Sequence, residues 1–166
     1  MSNSTQYISF ISTVHKEIGI CNAEELAAIL LEESPDVVFL EALEETYSDY
    51  EKMIFSSFGV YHAKLEIKAL QLYSTHSHVV YVPVLNLGLS ELFELKYNLV
   101  SINLECRKML EKYNSLADEL GFKFLNSDES VKLQQRMRML EDRILKDKEL
   151  KGKFNLELNE YEDSML

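Results

Sequence analysis

Residues 22–43, NAEELAAILLEESPDVVFLEAL, decide how the chain is read. Asn22 with Glu25 three residues on resembles a capping box, with Asn in place of the usual Ser or Thr, so a helix starts there. Leu26, Ala27, Ile29, Leu30 and Leu31 give that helix an apolar face. Ser34-Pro35-Asp36 stops it, because the residue before a proline avoids the α region. Residues 37–40, VVFL, then form a short unbroken apolar run, as expected of a strand covered on both faces in a parallel sheet.

Outward from this stretch the pattern continues. Residues 7–14, YISFISTV, alternate loosely and are rich in Ile and Phe, which suits a first strand. Strand, helix and strand make one βαβ unit with a right-handed crossover. Residues 46–58 are helical or irregular. Residues 61–74 read as a helix, with Leu65, Ala69, Leu72 and Tyr73 at helical spacing. Residues 79–84, VVYVPV, read as a third strand, and Pro83 marks its end or an edge because it cannot donate to a ladder.

After about residue 89 the composition changes. Leu92, Leu95, Leu99, Ile102, Cys106, Met109, Tyr113, Leu116 and Leu120 alternate in steps of three and four, an apolar seam at period 3.5. Ser90 is its expected N-cap and Gly121 its stop. A second helix runs from Ser127-Asp128 to about Lys151, with Leu133, Met137, Leu140 and Ile144 at the same spacing. A connection of about six residues predicts an antiparallel helical hairpin. The expected fold is therefore α/β: a small, mainly parallel sheet of at least three strands, flanking helices and a C-terminal helical hairpin. Residues 1–89 form an α/β half-domain, 90–151 the hairpin packed on or extending it, and 152–166 an acidic tail carrying Glu157, Glu160, Glu162 and Asp163.

Composition limits the partners. Twenty-eight acidic against 17 basic residues leave a formal net charge of −11 over 166 residues. That field repels nucleic acid and anionic membrane surfaces. The polar opening MSNSTQ has no signal-peptide pattern, and no run approaches the roughly 18 apolar residues of a membrane span. Cys21 and Cys106 make no CxxC, and a cytoplasmic, reducing location is expected. No Gly-rich phosphate loop, GxSxG elbow, HExxH or Cys-rich zinc pattern is present.

Two residues mark a candidate site. Ligands of open parallel sheets bind beyond the carboxyl ends of the strands. His15 follows the first expected strand and Glu41 the second. Neighbouring strand ends lie about 5 Å apart, so both side chains can enter one crevice, there to bind a metal or act as acid and base. The plainer alternatives stay open: a histidine that caps a helix or bonds a loop carbonyl, and a glutamate that opens a solvated acidic loop with Glu44 and Glu45. His76-Ser77-His78 has HxH spacing but lies at the opposite end of its strand, and His62 reads as a helix cap or surface residue. The charges of residues 127–151 are mixed in sign, the pattern of a solvated helix face.

The segment ISTVHKEIG, then AEELAAILLEESPDVVFLEAL, resembles the opening of the TraB/Tiki/EreA/ChaN superfamily, whose members begin with a strand ending in GxxH, a helix, and a strand reading roughly PDvvflE. AKLEIKALQLYSTHSHVVYVPVL continues the likeness through Glu66, Ala69 and Val82-Pro83-Val84, so it covers roughly residues 7–86. The resemblance implies a site containing His15, Glu41 and Glu66, with His15 and Glu41 as metal ligands. It implies a hydrolase of amide or ester bonds using a divalent metal, acting on a small molecule or peptide; haem is a remoter implication, from the ChaN branch. Ser12 stands at the motif's glycine and Asn86 at a position often acidic, and no second GxxH-like motif follows. A truncated or degenerate member is therefore expected. The alternative expectation is a non-catalytic interaction or regulatory module that dimerises or binds partners through its helical hairpin.

Overall fold

The computed structural model describes residues 7–54, 63–85, 91–145, 151–153, 155–156 and 159. His62, Asn86, Ser90 and the tail carboxylates Glu157, Glu160, Glu162 and Asp163 lie outside them.

Helix α1 (Ala23–Glu33) starts where the side-chain oxygen of Asn22 accepts the Glu25 N–H at 2.8 Å. It ends at Ser34, which adopts left-handed backbone at φ +46° and donates its hydroxyl to the Leu31 carbonyl. Strand β1 (Val37–Leu43) follows, then a 3-10 turn (Glu44–Thr46), α2 (Tyr47–Ile54), α3 (Leu65–Ser74) and β2 (Val80–Leu85). The two strands pair in parallel, from Val37 opposite Val80 to Leu40 opposite Pro83. Leu43 then faces Leu85, so Glu41 and Ala42 together stand against one residue of β2, a β-bulge. Among the described residues the sheet has these two strands, so both are edges, a place where Pro83 is tolerated.

The protein is thus α/β with a small parallel sheet and flanking helices, but the sheet differs from expectation. Among the described residues it has two strands, and residues 7–14 are not one of them. Ile11 and Val14 pack against the core while Tyr7, Ile8 and Phe10 face solvent, Phe10 being 93% exposed. A spacing of three would put Ile11 and Val14 on opposite faces of a pleated strand, whereas here both turn to one core. Its polar groups find side chains instead: Ser9 donates to Glu33, and Ser12 N–H to Asn126. The strand–helix–strand unit that does form is β1, α2–α3 and β2.

The helical seam is also divided. Helix α4 (Glu91–Ser101) ends and α5 (Leu104–Leu125) begins across Ile102-Asn103, because Asn103 turns its side-chain oxygen onto the N–H groups of Glu105 and Cys106. Gly121, at φ +56°, interrupts α5 and swings its last turn away from the preceding axis. Helix α6 (Asp128–Ile144) is capped by Ser127 and packs on α5. Tyr113 meets Ser130 and Gln134, while Glu105 meets Arg143.

One large core joins Leu26 and Leu30 of α1, Leu40 of β1, Leu65 and Tyr73 of α3, Tyr81 of β2, and Phe122 and Phe124 of α5. A smaller cluster holds Val100, Cys106, Leu140 and Leu145. Among the described residues no helix is long and apolar enough to cross a membrane.

Candidate functional site

The site is built where residues 12–21 pass the N-terminus of α3. Lys64 offers this helix no side-chain cap. The carbonyl of His15 takes that place, accepting the Leu65 N–H at 3.1 Å. This bond fixes the backbone of His15 over the first turn of α3, where Glu66 stands. A carboxylate is favoured there by the positive end of the helix dipole.

One oxygen of Glu66 gathers the site. Its Oε1 accepts the Thr13 hydroxyl at 2.8 Å and lies 2.9 Å from His15 Nδ1. Thr13 and His15, two residues apart, turn their side chains to the same carboxylate. A carboxylate only accepts, so the ring proton belongs on Nδ1 and the Nε2 lone pair is left open. The His15 side chain is 74% exposed and that of Glu66 only 20%, so the carboxylate is sheltered while the far imidazole nitrogen faces solvent.

A second set of charges borders the first. Glu17 accepts the Ala23 N–H at 3.0 Å and Lys68 Nζ at 2.9 Å, and Lys68 also reaches Glu24 at 3.3 Å. The Ala23 N–H and then Lys68 hold the Glu17 carboxyl below its ordinary range; Glu17 in turn raises Lys68. Cys21 is fully buried behind this loop. Burial pushes its thiol up to about 11, with Glu25 and Glu66 adding to the effect. It is a neutral packing group, not a nucleophile.

His15 and Glu66 are therefore brought together, and Glu66 stands beside His15 where Glu41 was expected. Glu41 is exposed in the bulge of β1, inside the strand and not past its end, because β1 continues through Leu43. His76 turns Nδ1 onto Thr75 and the Leu72 carbonyl at the end of α3, a local cap. Thr13, Glu17 and Lys68 escaped the sequence reading. Only the i, i+2 spacing of Thr13 and His15 hinted at a shared direction.

No family model, curated protein or solved structure matches the chain.

Among the described residues no three His, Cys, Asp or Glu side chains gather so as to hold a metal. Zinc sites use three or four protein ligands. The pair offers two side chains, His15 and Glu66, fewer than such a site uses, so these two residues do not by themselves fit a resident metal. The arrangement can take a proton from a bound water or hydroxyl and return it to a leaving group.

Proposed function

We propose that the chain is a TraB/Tiki/EreA-like hydrolase-type domain whose working pair is His15 and Glu66. The observation that carries this reading is the Glu66 oxygen shared by His15 Nδ1 and Thr13. Nε2 of His15 removes a proton from water as the oxygen attacks an ester or amide carbonyl. The tetrahedral intermediate collapses, and the imidazolium gives that proton to the departing alcohol or amine. Glu66 holds the ring in one tautomer and stabilises the imidazolium while it lasts. Glu41, on the β1 bulge, stands outside this hydrogen-bonded pair.

The test is turnover of a p-nitrophenyl ester. His15→Ala should lower it by about 10²–10⁴-fold, and Glu66→Gln by less, since the base survives without its anchor. Equal turnover by His15→Ala and the parent protein would sink the proposal. A divalent-metal titration run alongside reads saturable binding, and its loss in His15→Ala would bring in a metal at Nε2.

A second reading rests on exposed apolar side chains. Ile102, Leu104, Val131 and Met139 face solvent on and beside α5 and α6. On this reading the two helices form a hairpin that dimerises or docks partners. Sedimentation decides it: a dimer dissolved by Ile102→Asp supports the module, and a monomer at all concentrations removes the homodimer.

A further inference from the structure

We infer that Asn126 is the positioning residue of the site, holding the segment that carries His15 in register with Glu66; the functional weight of this rests on the reading above. Asn126 follows the last turn of α5, more than a hundred residues from His15 in sequence. Its Oδ1 accepts the Ser12 N–H at 2.6 Å, and its Nδ2 donates to the Ser12 carbonyl at 3.3 Å. Both peptide groups of one residue are thus paired with one side-chain amide, as a neighbouring strand would pair them. The orientation of the amide follows from chemistry, because an N–H needs the oxygen and a carbonyl needs the nitrogen. From behind, Nδ2 also donates to the Phe122 carbonyl at 2.9 Å, which accepts the Asn126 backbone N–H as well, at 3.0 Å. The amide is therefore anchored before it reaches Ser12.

The rest of the path is equally direct. Thr13 is the next residue and already sits on Glu66; His15 lies two further, with its carbonyl on Leu65 N–H. On the other side of His15 the chain is tied to α5 again, where Ile20 N–H donates to the Asp118 carbonyl at 3.1 Å. Gly19, at φ +53°, lies so close to Asp118 that a Cβ would overlap it. Asp118 and Asn126 thus bracket His15 from one helix. Gly121 lies between them, and its left-handed backbone bends α5 so that both can face the same loop.

The experiment reads the His15 imidazole by ¹⁵N NMR, where a locked tautomer gives two well-separated ring-nitrogen signals and a free ring gives averaged ones. The parent protein should show the locked pattern. Glu66→Gln should collapse the separation, and Asn126→Ala should collapse it too while circular dichroism shows the fold intact. Collapse in Glu66→Gln but not in Asn126→Ala overturns the positioning role and leaves the pair standing. No collapse in either overturns the pair and the positioning role together. If Asn126→Ala does not fold, amide exchange in the parent protein decides. Ser12 N–H should exchange more slowly than Ser9 and Phe10 by at least tenfold, and exchange as fast as theirs overturns the inference. Loss of ester turnover as a property of the protein, with the NMR pattern intact, would remove the hydrolase reading and not Asn126's hold on the loop.

Discussion

Glu17 shows how a single side chain can carry pH dependence into the neighbourhood of the site. Its carboxyl is held below its ordinary value of 4.5 by the Ala23 N–H and by Lys68. A depressed carboxyl contributes stability that is present above 4.5 and lost as pH falls through the lowered native value. Glu17→Gln should therefore lower the urea midpoint at pH 7, and the gap to the parent should close as pH drops below 4.5; an unchanged gap at pH 3 would refute the assignment. Gly19 makes a sharper demand. Alanine there must adopt a left-handed backbone and overlap Asp118. The backbone strain alone costs about 1–3 kcal/mol. Gly19→Ala should lower the melting temperature and free the loop that carries His15. Of these residues the sequence announced His15 and Glu66 through a family-like pattern. It did not announce Asn126, because a partner 114 residues from Ser12 leaves no local spacing to read, and of Thr13 it showed only the two-residue step to His15.

Among the elements, those with local causes were legible. Helix α1 follows from its Asn22 cap and from Pro35 after its end, and β1 and β2 from unbroken apolar runs. Residues 7–14 have strand-like composition, yet what decides their form is the partner on each side. Asn126 and Glu33 supply that partner as side chains, so composition misleads. The division of α4 from α5 has the opposite character. Its cause, Asn103, is local, but a continuous apolar period hid it. Asn103→Ala removes the acceptor for the Glu105 and Cys106 N–H groups and should cost about 1 kcal/mol. Chemical denaturation measures that loss; an unchanged midpoint would mean the break is imposed by packing alone.

At the scale of the whole molecule, stability is unevenly shared. The large core draws on both strands and on α1, α3, α5 and α6, whereas the cluster around Cys106 draws on α4, α5 and the end of α6. Burial raises both thiols, Cys21 to about 11. At pH 8 an aromatic disulfide reagent should react with neither in the native state beyond the rate of opening. Cys106 should be modified first, since the smaller cluster opens with less loss of contact. Faster labelling of Cys21 would reverse that order of stability. Phe39 is 65% and Val80 60% exposed, and among the described residues no third strand pairs with either edge of the sheet. Such a margin is adhesive, and the shared excess of 11 negative charges opposes the approach of copies through it. Added electrolyte shortens the reach of that repulsion to about 3 Å at 1 M. Concentrated solutions should therefore stay clear in dilute buffer and turn cloudy as salt rises, and replacing Phe39 with lysine should restore their clarity.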